Sequence, residues 1–157
     1  RSLWRVNKLG HSLFAILAFF VPAAILIGAA THVFLPDKLL AFPRARPVLW
    51  LVVMFLYPLL LAWPQELFFR SFFFHRYRAL FTSPAQMIVA NALSFGLAHL
   101  FYGNWVAPVL SFGGGLLFGW RYHKSRSLPL VSLEHALWGD YLFTIGIGWF
   151  FYSAAIQ

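Results

Sequence analysis

The run Val48-Leu-Trp-Leu-Val-Val-Met-Phe-Leu-Tyr57-Pro58-Leu-Leu-Leu-Ala-Trp63-Pro64-Gln65-Glu66-Leu-Phe-Phe-Arg70-Ser-Phe-Phe-Phe-His75 is mainly apolar but is interrupted by Pro58, Pro64, Gln65, Glu66 and Arg70. Continued as helix to about Phe81, it would be ~50 Å long, against ~30 Å for the hydrocarbon core of a bilayer. Such a segment can cross a membrane only if it is kinked or broken, and Pro64 is the expected place, with the last turns leaving the bilayer.

Similar segments lie on either side. One apolar run precedes it, Ser12 to Phe34. Three follow: about Ala85 to Tyr102, Trp105 to Tyr122, and Leu128 to about Tyr152. The first is too long for a signal-peptide core and lacks a cleavage site, so it reads as a spanning helix. The last reads as one span, or as a hairpin broken at Gly139. The expected fold is therefore all-α, a polytopic transmembrane helix bundle of about five to six spans. It forms one membrane domain over 1–157 with a core at about 48–152.

Composition agrees. Of 157 residues, 61% are hydrophobic and only 10% charged, where a soluble domain would need roughly 25% charged residues to cover its surface. The 12 Lys and Arg against 4 Asp and Glu could suggest nucleic acid, but they sit in short clusters between apolar runs. That pattern fits topology and lipid headgroups instead. Alternating spans place Arg1/Arg5/Lys8, His75/Arg76/Arg78 and Arg121/His123/Lys124/Arg126 on one side, expected to be cytoplasmic. Lys38, Arg44 and Arg46 fall on the other. Cysteine is absent, which excludes disulfide scaffolds and thiolate chemistry.

An ionisable side chain at membrane depth is costly and marks a site unless paired. Three of the four acids, Glu66, Glu134 and Asp140, lie inside apolar runs. Glu66 and Arg70 share a helix face, which by itself could be a structural ion pair. His99 could be an interhelical hydrogen-bonding residue, and Glu134-His135 a local polar contact. Taken together they point to a buried polar chamber formed by three segments. Two chemistries suit it. A carboxylate and a histidine can activate water while a second histidine stabilises an oxyanion. Alternatively, Glu66, His99 and His135 could hold Zn²⁺, although no HExxH is present. Gly115-xxx-Gly119 reads as close helix packing, and no GxSxG supports serine chemistry.

Gln65-Glu66-Leu-Phe-Phe-Arg70, Phe95-Gly-Leu-Ala-His99, Gly113-Gly-Gly-Leu-Leu-Phe-Gly119 and His135-Ala-Leu together resemble the CPBP (CAAX-prenyl-endopeptidase and bacteriocin-processing, Abi) family of intramembrane proteases. That family's pattern is EExxxR, FxxxH and HxxxN on successive membrane helices. The resemblance covers roughly 48–152 and implies a glutamate- and histidine-activated water cleaving a peptide bond in a membrane-embedded cavity. It assigns catalytic roles to Glu66, Arg70, His99 and His135.

Two positions depart from the pattern. Gln65 replaces the first Glu, the base, and a neutral amide cannot take that role. Glu66 is then the expected replacement base. Gly139 replaces the Asn, with Asp140 one residue later. A π-turn at Gly139 would bring Asp140 towards His135. The implied substrate is a peptide or protein at the membrane, prenylated or not. No cofactor is expected, Zn being the alternative. The expected location is integral and multi-pass, in a bacterial inner membrane. The competing readings are a catalytically silent homologue that binds peptides in an immunity or scaffold role, and a transporter.

Overall fold

The computed structural model describes residues 9–152; the cations Arg1, Arg5 and Lys8 lie outside them. Each of the five apolar runs forms a helix. Helix α1 spans Leu9–Phe34 and the short α2 spans Ala41–Ala45 in the polar joint. Helix α3 runs continuously over Pro47–Arg76. Helix α4 is Pro84–Leu97, α5 Val106–Ser125 and α6 Leu128–Ile145. Leu13–Phe34, Pro47–Arg76 and Pro84–Tyr102 are long and apolar enough to cross a membrane. Exposed Phe14, Leu26, Phe55, Leu59 and Phe68 give α1 and α3 a lipid-like outer surface.

The expected break at Pro64 does not occur. Helix α3 instead widens into two π-turns, Pro58–Ala62 and Leu67–Phe72, around the α-turn Trp63–Glu66. Proline has no N–H, so Pro58 and Pro64 remove donors that would hold the four-residue pitch. The N–H of Trp63 accordingly reaches back five residues to the carbonyl of Pro58. The second widened stretch frees carbonyls as well, and Nδ2 of buried Asn91 donates to that of Phe69 at 2.6 Å. In this way α4 satisfies a group that hydrocarbon could not.

Helices α4 and α5 make the most extensive packing pair. The Cβ site of Gly115 lies 2.7 Å from the Ala92 Cα, and that of Gly96 lies 2.9 Å from the Pro108 carbonyl. Small residues therefore let the backbones meet, as the Gly115-xxx-Gly119 spacing predicts. Helix α4 opens with a capping box between Ser83 and Gln86, followed by Pro84 at its first position.

Helix α6 lies at the centre and packs against α1, α2, α3 and α5. The Tyr141 hydroxyl donates to the Ala24 carbonyl of α1. On the other side, Trp50 Nε1 of α3 donates to Thr144 Oγ1 at 3.0 Å. The helix is unbroken through Gly139, so the hairpin alternative is not adopted. It does not continue to Tyr152 either. It ends at Gly146, whose left-handed φ of 101° faces the Lys38 carbonyl at a distance no Cβ could tolerate. A 3₁₀ stretch, Ile147–Phe151, then carries Trp149 beneath Lys38 Nζ, 4.1 Å from the ring centroid.

Candidate active site

Glu66, at the end of the α-turn between the two π-turns, is fully buried, as is Arg70 one turn on. Arg70 Nε lies 3.0 Å from Glu66 Oε2, as their spacing predicts. The contact is an ion pair whose alignment falls short of a hydrogen bond. The guanidinium lies beside the Phe95 and Phe118 rings, 4.6 and 5.4 Å from their centroids. Aromatic faces thus supply part of the stabilisation that burial removes.

The other oxygen of Glu66 faces α6. His135 Nδ1–H donates to Glu66 Oε1 at 2.7 Å. An ionised carboxylate only accepts, so Nδ1 is the donor of this bond, and in the neutral tautomer that matches it Nε2 is an acceptor. The His135 ring stacks on Phe118, with centroids 4.7 Å apart. The rings of Phe95 and Tyr57 meet it edge-on at 5.7 and 6.0 Å. Contacts on several sides hold the imidazole in one orientation.

His99 comes from the seam where α4 gives way to the 3₁₀ turn Leu100–Tyr102. Its Nδ1–H donates to the Phe95 carbonyl at 2.7 Å, so here too Nε2 is the free acceptor. The Phe95 ring packs against both histidines, 4.7 Å from His99. A cavity of about 960 Å³ is lined by Tyr57, Gln65, His99, His135 and Gly139 within mainly apolar and aromatic walls. Glu66 and Arg70 stand behind this lining.

The structure therefore brings Gln65, His99 and His135 to one cavity and joins Glu66 and Arg70 to His135 from behind. Asp140 does not line this cavity, although its charge is felt at Tyr57. Helix α6 is a regular α-helix at this point, so the expected π-turn at Gly139 is absent. The widened turns lie in α3, around Pro58 and Pro64. Glu66, His99 and His135 do not form a ligand set for zinc. Glu66 occupies the Nδ1 edge of His135, away from any ion on Nε2. Among the described residues, no three of His, Asp and Glu gather closely enough to hold a metal.

Glu134 does not contact the site. It turns about 100° from its neighbour His135 and receives Arg121 Nε and Nη2 at 2.8 and 2.9 Å. Arg121, read from sequence as a topological cation, is a buried partner of α6. Tyr57 was not marked by the sequence at all. Its ring fills the space beside Gly139, where a Cβ would fall 2.1–2.3 Å from the ring edge and hydroxyl.

Residues 47–139, more than half of the chain, match the family model described as Rce1-like, type II CAAX prenyl endopeptidase Rce1-like. The chain belongs to this family. The match covers α3 through the first two-thirds of α6, and so includes Glu66, Arg70, His99 and His135. It agrees with the CPBP-type resemblance carried by the motifs. Neither a curated protein nor a solved structure matches. The chain is thus an all-helical member of a membrane-embedded, CAAX-type protease family, with α1 and α2 preceding the matched region.

Proposed function

We propose that the chain is an intramembrane endopeptidase in which His135, backed by Glu66, is the general base. The observation that carries this reading is the buried relay Arg70–Glu66–His135 ending at a cavity that His99 and Gln65 also line. Glu66 has one oxygen on Arg70 and the other on His135, so it acts on water through the imidazole. The imidazole presents its basic Nε2 while the carboxylate steadies the charge that develops on it.

The chemistry closes with these groups. Water held between Nε2 of His135 and Nε2 of His99 gives one proton to His135 as its oxygen attacks the scissile carbonyl carbon. The carbonyl oxygen becomes an oxyanion, for which the Gln65 side-chain amide is a neutral donor. Collapse of the tetrahedral intermediate breaks the C–N bond, and His135 returns its proton to the leaving amine. The Gln65 position then supplies a hydrogen-bond donor where the family pattern has a base. The apolar walls suit a membrane-borne peptide or protein segment, with any prenyl chain along the same walls.

The test is cleavage of fluorogenic peptides, with and without a C-terminal prenylcysteine, by protein purified into lipid vesicles. Cleavage abolished by His135→Ala and by His99→Ala supports the reading. Cleavage that survives His135→Ala overturns it. Gln65 also favours a second reading, a silent homologue that binds peptides. Saturable peptide binding by a wild-type chain that cleaves none would establish it.

A further inference from the structure

Tyr57 lies on α3 at the residue before the first π-turn, and its side chain lines the cavity. Its ring meets the His135 ring edge-on at 6.0 Å and the Phe143 ring at 5.4 Å, which sets its plane. Its outer edge and hydroxyl rest against the bare backbone at Gly139. Gly139 is one helical turn beyond His135, so the two positions share a face of α6. The phenol oxygen is thereby held against a glycine that lies one turn along α6 from His135 and also lines the cavity. Any residue larger than glycine at 139 would displace it. The glycine is conformationally ordinary, within a regular helix, so what it provides here is room.

From this geometry we infer that Tyr57 is a catalytic residue: its hydroxyl donates a hydrogen bond to the substrate carbonyl oxygen beside His135 and strengthens that bond as the oxyanion forms. The inference rests on the endopeptidase reading and deepens it. A phenol is a neutral donor at neutral pH and so suits an apolar chamber where a second cation would be costly. Together with the Gln65 amide it gives the oxyanion two donors, and the Tyr57 ring is fixed in place before substrate binds. Rigid placement is what makes such donors effective, because no reorganisation is needed as charge appears. No covalent step involves Tyr57, and its proton stays on the phenol oxygen throughout.

The experiment compares wild type, Tyr57→Phe and Gly139→Ala in lipid vesicles, reading kcat and KM on a cleaved fluorogenic peptide and thermal unfolding in parallel. Tyr57→Phe keeps the ring between His135 and Gly139, so it isolates the hydroxyl. The expected result is a kcat lower by about 10²-fold with KM changed less than threefold, as for loss of one oxyanion donor. Gly139→Ala, which pushes an intact Tyr57 out of place, should lower kcat similarly. A phosphinic peptide that mimics the tetrahedral intermediate should bind Tyr57→Phe at least tenfold more weakly. Unchanged kcat in Tyr57→Phe, or a rise in KM alone, overturns the assignment and leaves the endopeptidase standing. A wild type that cleaves no peptide overturns both.

Discussion

Nδ1–H of His135 donates to Oε1 of Glu66 at 2.7 Å, joining two helices and residues 69 positions apart in the chain. The bond gives the carboxylate two simultaneous duties, since Arg70 holds its other oxygen at 3.0 Å. Removing its charge and removing its bulk should therefore have different consequences.

Glu66→Gln keeps the shape and a hydrogen-bond acceptor for Nδ1–H but loses the charge that steadies the imidazolium. The expected outcome is a kcat lower by about 10²–10⁴-fold with KM little altered. Both substitutions leave a fully buried guanidinium without its counter-charge, which costs about 3–5 kcal/mol of stability, and Glu66→Ala also removes the side chain that joins Arg70 to His135. Thermal unfolding in detergent separates the two. Glu66→Gln should melt below wild type because it leaves Arg70 without its counter-charge, and Glu66→Ala should melt further below.

Chelation tests the ligand geometry. Glu66 lies on the Nδ1 edge of His135, so Glu66 and His135 Nε2 cannot bind one ion between them. Peptide cleavage should be unchanged by prolonged treatment with a strong zinc chelator, and metal analysis should find no stoichiometric zinc. Loss of activity restored by added Zn²⁺ would require a ligand set other than Glu66, His99 and His135.

Much of the architecture is legible in the sequence because hydrocarbon allows few alternatives. All five apolar runs are helical, and the close approach at Gly115 follows from residue size alone. Glu66, Arg70, His99 and His135 stand out because charge is so scarce around them. Tyr57 does not, for a geometric reason. Nine residues at 100° each put it about 180° from Glu66 on a regular helix, facing away. The π-turn Pro58–Ala62 absorbs one extra residue and brings that angle to about 80°. The two prolines signal that the helix departs from regularity, but not whether it breaks or widens. Asp140 fails for the complementary reason: with no proline nearby, α6 keeps its pitch. Arg121 and Glu134, thirteen residues apart on different helices, carry no local spacing signal at all.

Gly115 is a test of the α4–α5 contact. A Cβ there would lie 2.7 Å from the Ala92 Cα, which is backbone and cannot yield like a flexible side chain. Gly115→Leu should force the helices apart and cost about 1–3 kcal/mol or more. Because Asn91 and Phe95 are carried on α4, activity should fall with stability. Gly113→Ala is the control. Its Cβ would meet nothing within 4 Å, and it should melt like wild type.

The Arg121–Glu134 pair separates stability from catalysis. Glu134 is fully buried and receives two hydrogen bonds from Arg121, so this is the bidentate arrangement that compensates best for lost hydration. Arg121→Met leaves a buried carboxylate with neither of those donors and should destabilise by about 3–5 kcal/mol. Glu134→Leu leaves Arg121, slightly exposed and 5.3 Å from the Trp120 ring centroid, a route towards the surface, and should cost less. The double variant removes both desolvation penalties and should recover most of the loss, because apolar packing often replaces a buried ion pair without cost. A double-mutant cycle on thermal unfolding gives the coupling directly. Cleavage per folded molecule should stay near wild type in the double variant, since the pair points away from His135. If cleavage falls while stability is recovered, Glu134 acts on the position of His135 along α6.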